Sequence, residues 1–156
     1  MKADSPNLES MLDRAYTQAR RVMIGTNEQL LPAFLIFYQD GTSGVIGTPF
    51  QDDTQRQIVA ALMREHMRTR NALAYCFVTE GWQATIDRDE PLGAKPIRER
   101  EEKKEIVIAI ATDGVNQKMR QWGIVRDRRG RCKALPLEHE GAPSVGWVTN
   151  LLGGTA

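Results

Sequence analysis

The first apolar pattern along the chain is typical of an amphipathic helix. Apolar residues recur at three- and four-residue spacing and charged residues occupy the positions between them, which places the apolar side chains on one helical face. Ser5 and Pro6 precede this pattern and suit the N-cap and the first helical position, while Gly25 follows it. The sequence therefore predicts a helix over 5–24. Its stripe suits packing on a sheet, and self-association is the alternative.

A second helical pattern follows a predicted hairpin. The apolar segments 33–38 and 45–47 flank a glycine-rich turn, as in a β-hairpin. Asp52 or Asp53 can cap a helix that runs over about 54–70. The apolar stripe of this helix is predicted to contain Ile58, Val59, Leu62, Met63 and Met67, with His66 on the same side.

Two strongly apolar segments, 73–78 and 106–111, predict interior strands. The first continues past Gly81, where we expect a β-bulge. Segment 117–135 predicts a further hairpin. The tail 136–156 is rich in Gly and Pro, yet it keeps apolar residues and is expected to extend along the domain and dock on it.

The order of these elements predicts an α+β fold. A helix, a hairpin, a second helix and then consecutive strands favour a two-layer domain, in which two helices pack on one face of a mainly antiparallel sheet. The chain has 156 residues, the size of one domain, and is 41% hydrophobic and 26% charged, near the average of globular proteins. We therefore expect a single domain over 1–156.

Composition excludes several classes of protein. The chain opens without an apolar signal segment and has no apolar run long enough for a membrane span, so we expect a cytoplasmic protein that does not enter membranes. Its two cysteines fit the role of small side chains in a reducing compartment. A net charge of +1 points to no partner by bulk electrostatics. Any attraction for nucleic acid must come from local clusters.

No motif in the sequence predicts a metal or a cofactor. The spacing of Gly41, Gly44 and Gly47 fits neither a dinucleotide fingerprint nor a phosphate loop. His66 has no second ligand residue three or four positions away on its helix, so we expect a structural histidine.

Glu80 is the candidate catalytic residue. It follows an apolar strand directly, and a carboxylate there is costly to bury unless it is paired. The structural interpretation, which we favour, is a salt bridge with one of four basic residues: Arg98, Arg100, Lys103 or Lys104. The functional alternative is a general acid or base in a small hydrolase-type enzyme.

The basic segment 117–135 is the candidate surface for nucleic acid or another partner. Its predicted binding residues are Lys118, Arg120, Trp122, Arg126, Arg128, Arg129 and Arg131. A ribbon of this kind can contact phosphates while its tryptophan stacks on a base. The alternative is a solvated or intramolecularly neutralised surface.

Three segments carry a resemblance. They are Phe77-Val78-Thr79-Glu80-Gly81-Trp82, the charged run 98–105 with the strand after it, and Ala111-Thr112-Asp113-Gly114. Together they resemble small proteins without known activity that bacterial and phage genomes encode, over about 33–135. The resemblance implies an accessory protein of a phage or mobile element and no particular site.

The sequence thus favours a non-enzymatic protein-interaction module. Its expected partner is another protein or a second copy in a homodimer. Nucleic-acid binding through 117–135 and hydrolysis through Glu80 are the alternatives.

Overall fold

The computed structural model describes residues 6–50, 52–83, 104–141 and 151–152. The helices in these residues are α1 (Leu8–Met23) and α2 (Asp53–Thr69). The strands are β1 (Ala33–Tyr38), β2 (Ser43–Gly47), β3 (Ala72–Gln83), β4 (Lys104–Thr112), β5 (Gln117–Gly123), β6 (Val125–Arg126), β7 (Cys132–Ala134) and β8 (Leu137–Gly141). The strand limits match the predicted apolar segments closely up to β4.

The six longer strands form one antiparallel sheet in the order β2-β1-β3-β4-β5-β8. The α+β class and the antiparallel sheet are therefore confirmed. Strands β6 and β7 form a separate two-stranded sheet. Two backbone hydrogen bonds attach that small sheet to the end of α1: the N–H of Gly25 donates to the carbonyl of Cys132 at 2.8 Å, and the N–H of Cys132 donates to Thr26 at 2.8 Å.

Helix α1 packs across β3, β4 and β5 on one face of the sheet. The strands present short side chains to the helix, among them Ala74, Ala109 and Ala111, all fully buried. Short side chains let a helix lie close to a sheet. The helix contributes the following buried residues: Met11, Leu12, Ala15, Ala19 and Met23.

Helix α2 packs on the opposite face, against large side chains. The sheet contributes Phe34, Ile36, Tyr38, Tyr75, Phe77 and Ile110 to this second core, and α2 contributes Ala60, Met63 and Met67. The expectation that both helices cover one face is thus wrong. Successive strand residues point to opposite faces, and β1, β3 and β4 are apolar at both sets of positions, so each face requires its own cover.

The start of α1 differs from the prediction. Asn7 is the N-cap, and its Oδ1 atom accepts hydrogen bonds from the backbone N–H groups of Glu9 at 2.8 Å and Ser10 at 3.4 Å. Ser5 lies outside the described residues. The cap of α2 is confirmed, since Asp52 Oδ1 accepts from the N–H of Gln55 at 2.8 Å.

The apolar stripe predicted for α2 is wrong in part. Met63 and Met67 are buried, whereas Ile58 is 54% exposed and Leu62 is 65% exposed. His66 is half-buried, and its Nε2 atom lies 2.7 Å from the hydroxyl oxygen of Tyr38. Helix α2 therefore has one apolar face on the sheet and a second, shorter apolar strip that faces outward.

Two predicted details of the strands are also wrong. Gly81 is not a bulge, because it pairs regularly with Ile106 in the β3–β4 ladder. Segment 117–135 is not one hairpin, because β5 pairs with β4 and β8, and only the short strands β6 and β7 flank the turn at 127–130.

The described parts of the tail lie against the sheet. Strand β8 extends its edge beside β5. Leu151 is fully buried in the core under α2, and its N–H donates to the Tyr75 hydroxyl at 3.3 Å. Neither helix of the described chain has the length and apolarity that a membrane crossing requires.

Candidate functional site

Lys118 and Arg120, at the start of the predicted basic surface, face acidic residues of α1. Arg120 Nη1 lies 2.6 Å from an oxygen of Asp13, and its Nη2 lies 3.0 Å from an oxygen of Glu9. Lys118 also pairs with Glu9, and both cations reach Glu140 on β8, at 2.7 Å from Lys118 and 3.2 Å from Arg120. These two residues therefore join α1 to β5 and β8, and their charges are already balanced.

Trp122 lies in the core, beneath α1. Only 3% of it is exposed, and its ring packs on that of Tyr16 with 5.2 Å between centroids. A base could stack on Trp122 only if α1 moved away. The expectation of an accessible tryptophan in the basic surface is therefore wrong.

The remaining basic residues are divided between ion pairs and solvent. Arg126 forms a two-point ion pair with Glu105, with distances of 2.6 Å and 3.1 Å, and also donates to the carbonyl of Gly130 at 2.9 Å. Arg131 pairs with Asp127 at 3.3 Å. The turn also carries Arg128 and Arg129, which are exposed. Within the described chain, these two arginines are the predicted cationic binding residues whose side chains carry no ion pair.

Glu80 holds a loop in place. Its Oε1 atom accepts a 2.8 Å hydrogen bond from the backbone N–H of Leu30, in the segment between α1 and β1. The predicted partners at 98–103 lie outside the described residues, while Lys104 pairs with Glu138 at 2.9 Å instead. Glu80 is thus attached to the backbone of a loop.

A cavity of about 580 Å³ adjoins Glu80, and we call it the Glu80 cavity. Burial raises the pKa of the Glu80 carboxyl above its usual value, although the Leu30 N–H and the charge of Arg126 act in the opposite direction. The second carboxylate of the cavity, Glu105, is bound by Arg126. The negative charge of Glu105 also raises the pKa of Glu80, so the two carboxylates of the cavity interact.

Neither cysteine is poised as a nucleophile. Both are buried and free, and burial raises the thiol pKa of each, for Cys76 to about 12. A thiol that stays protonated at neutral pH is a poor nucleophile. In the described part of the chain no group of three or more His, Cys, Asp or Glu residues could hold a metal ion.

A larger groove, of about 630 Å³, lies between α1 and the hairpin β1–β2, and we call it the α1–β2 groove. It exists because α1 packs mainly on β3 to β5, which leaves the same face of β1 half-buried and that of β2 exposed. The floor contains Leu35 and Val45, which are directly opposite each other in the ladder, and the smaller pair Ala33 and Gly47. Val45 is 60% exposed.

The rim of the α1–β2 groove combines an apolar ridge with basic charge. Leu31, 59% exposed, stands between this groove and the Glu80 cavity and lines both. Arg14 and Arg21 project from α1, and the described acid that lines the groove is Glu28. Arg14 lies over the ring of Phe37, 5.5 Å from its centroid. The groove therefore suits an apolar ligand that also carries negative charge.

No family profile, curated protein or solved structure matches this chain.

The α1–β2 groove was not predicted from the sequence. Leu31, Val45 and Gly47 belong to a loop and a hairpin whose sequences contain no motif that indicates a binding site. A partial signal was present, since Val45 and Gly47 form a short strand at one end of the sheet, and one helix cannot cover six strands. A sheet of that width spans about 24 Å and a helix is about 10 Å wide.

Proposed function

We propose that this chain is a protein-interaction module that binds an amphipathic helix of a partner protein in the α1–β2 groove. The observation that carries the proposal is the partly exposed apolar floor beside α1, formed by β1 and β2. Contiguous exposed apolar surface with a polar rim is typical of protein-binding sites.

The spacing of the layers supports a helix as the ligand. Helix α1 is centred on β4, which lies two strands from β1 in the sheet. Since strands are about 4.8 Å apart, β1 lies about 10 Å to the side of the α1 axis. Helices that pack side by side keep their axes about 8–10 Å apart. A second helix beside α1 would therefore lie over β1 and fill the groove.

The floor and the rim define the chemistry of this ligand. Above the pair Ala33 and Gly47 the floor is low, and a Cβ atom placed on Gly47 would meet no atom within 4 Å. A bulky apolar side chain of the ligand fits there. Carboxylates on the flank toward α1 would meet Arg14 and Arg21. The expected ligand helix has apolar residues at i, i+3 or i+4, and i+7, with acidic residues beside them.

The test uses a library of helical peptides displayed on phage and selected on the wild-type protein. Gly47→Leu fills the groove from its floor, into open space. Gly81→Leu is the matched control, because Gly81 also lies on a strand with open space around it but lines the Glu80 cavity. Selected peptides should bind wild type and Gly81→Leu equally and lose at least about tenfold in affinity for Gly47→Leu, which is about 1.4 kcal/mol.

Equal binding of the selected peptides to wild type and Gly47→Leu would overturn the proposal. The folded state of Gly47→Leu is not at risk, since a glycine within a strand costs about 0.5–1 kcal/mol that another residue recovers. Thermal unfolding of the three proteins would verify this. Charge reversal at Arg21, with Arg128→Glu as a remote control, should weaken peptides that carry acidic residues and leave neutral ones unchanged.

A further inference from the structure

The outer face of α2 carries an apolar strip that the fold leaves without cover in the described chain. Ile58 and Leu62 are one helical turn apart and are 54% and 65% exposed. The residues that hold α2 on the sheet, Met63 and Met67, lie on the other side of the helix. The strip is therefore separate from the packing that stabilises the domain.

This strip supplies the apolar residues at i and i+4 of the ligand helix expected in the α1–β2 groove, and its i+7 position holds the acidic Glu65. Two large apolar side chains at i and i+4 suit a floor with Leu35 and Val45 at one end and the low pair Ala33 and Gly47 at the other. Together, the strip and the groove account for four of the seven large apolar side chains that are exposed in the described chain, since Leu31 and Val45 belong to the groove.

The charges also match. Glu65 follows Leu62 by three residues, so its carboxylate lies on the same outward side of α2. Within the described residues it pairs with Arg68 at 2.5 Å, with side chains that are 63% and 71% exposed, and it accepts a hydrogen bond from the Thr69 hydroxyl at 3.3 Å. An exposed pair of this kind contributes little and can exchange partners. Arg14 and Arg21 on the groove wall are the cations that Glu65 would meet.

We propose that the ligand of the α1–β2 groove is helix α2 of a second copy of this chain, an inference that rests on the proposed function of the groove. The strip and the groove lie on opposite faces of the sheet. In a two-fold symmetric dimer both surfaces of one molecule would have to contact the same neighbour, and their positions do not allow this. The contact is heterologous, and it joins molecules head to tail. Each molecule offers its strip to one neighbour and its groove to another.

The experiment uses two variants that each disable one surface. Leu62→Asp removes the strip and keeps the groove, while Gly47→Leu fills the groove and keeps the strip. Both changes are at exposed positions with room for the new side chain. Val115→Asp is the control, because Val115 is 88% exposed and belongs to neither surface.

Sedimentation velocity from about 10 µM to about 1 mM, the range in which a contact with few anchors associates, gives the first readout. Wild type and Val115→Asp should assemble progressively with concentration, and each disabling variant alone should remain a monomer. An equimolar mixture of the two variants should form a heterodimer and stop there, because only one functional strip and one functional groove are present per pair.

Two results would overturn the inference while leaving the proposed function in place. One is a wild-type protein that stays monomeric while selected helical peptides still bind its groove. The other is a dimer that Leu62→Asp abolishes and Gly47→Leu does not affect, which would indicate symmetric pairing of α2 helices. Loss of both self-assembly and groove-dependent peptide binding would instead remove the proposed function itself.

Discussion

The backbone N–H of Leu30 donates its hydrogen bond to the carboxylate of Glu80, fifty residues later in the chain. This single contact ties the loop before β1 to the middle of β3. Because Leu30 also contributes to both the α1–β2 groove and the Glu80 cavity, the bond fixes the wall between them. Glu80 is therefore a positioning residue for the groove.

Two substitutions of Glu80 should show how much the hydrogen bond from Leu30 contributes to stability. Glu80→Gln keeps an oxygen that accepts from Leu30, whereas Glu80→Ala leaves the N–H without a partner and should cost about 1–3 kcal/mol of unfolding free energy. Urea unfolding of both variants at neutral pH measures the difference. Equal losses in the two variants would show that the hydrogen bond contributes nothing.

The pH dependence of Glu80 has a definite sign. Burial raises its folded-state pKa above the unfolded value, so the folded protein favours the protonated carboxyl. The contribution of Glu80 to stability is fully present below the unfolded pKa and is lost as pH rises through the folded pKa. Glu80→Gln should therefore gain stability relative to wild type as pH rises from about 4 toward neutrality. A gain that appears only toward acid would contradict the raised pKa.

Neighbouring residues of α2 should respond very differently to truncation. Met63→Ala removes a buried side chain and should cost about 2–5 kcal/mol. Leu62→Ala removes an exposed one and should change stability by less than about 0.5 kcal/mol. Chemical unfolding at low protein concentration compares them without interference from self-assembly. The opposite order would place Leu62, as the sequence pattern predicted, against the sheet.

Trp122→Ala should lower the free energy of unfolding. The ring is buried against Tyr16, and its removal should cost about 3–5 kcal/mol. Arg128→Ala combined with Arg129→Ala should leave the unfolding free energy within about 0.5 kcal/mol of wild type. Titration with DNA and RNA oligonucleotides at low salt completes the comparison. Binding that the double arginine variant abolishes would favour the nucleic-acid alternative, with the turn at 127–130 as its site.

The ion pairs of Arg120 should make the protein sensitive to acid. Hydrogen bonds from Lys118, together with Lys118 and Arg120 charge, hold the pKa of Glu140 below its usual value. That stabilisation is present above the unfolded pKa of the carboxyl and is lost as pH falls through the folded pKa. Arg120→Met should therefore lower stability at neutral pH and reduce its loss between about pH 5 and pH 3. Arg128→Met, at an exposed position, should leave the acid profile unchanged.

The elements of this fold were predictable because their signals are local. Helical spacing gave α1 and α2 to within a few residues, and apolar runs gave β1, β3 and β4. It was harder to predict from the sequence which face of each helix is buried. Ile58, Leu62, Met63 and Met67 are equally apolar, and only the position of α2 above the aromatic side chains of the sheet decides which of them are buried.

The pairing of β5 shows what a local pattern misses. The turn at 127–130 is a good hairpin signal, yet it closes only β6 and β7, while β5 finds its second partner beyond it in β8. The ion pairs that Lys118 and Arg120 form with α1 had a signal in the sequence. Glu9, Asp13 and Tyr16 follow helical spacing, and Lys118, Arg120 and Trp122 follow strand spacing, so the two stripes match in charge and size along their length.

Three alanines beneath α1 influence the shape of the α1–β2 groove, although they do not line it. Ala74, Ala109 and Ala111 set the height of the helix above the sheet, and the helix is one wall of the groove. Replacing one of them by valine would lift that wall and would change which side chains fit beside it. The size of the ligand that this domain accepts therefore depends partly on three buried methyl groups.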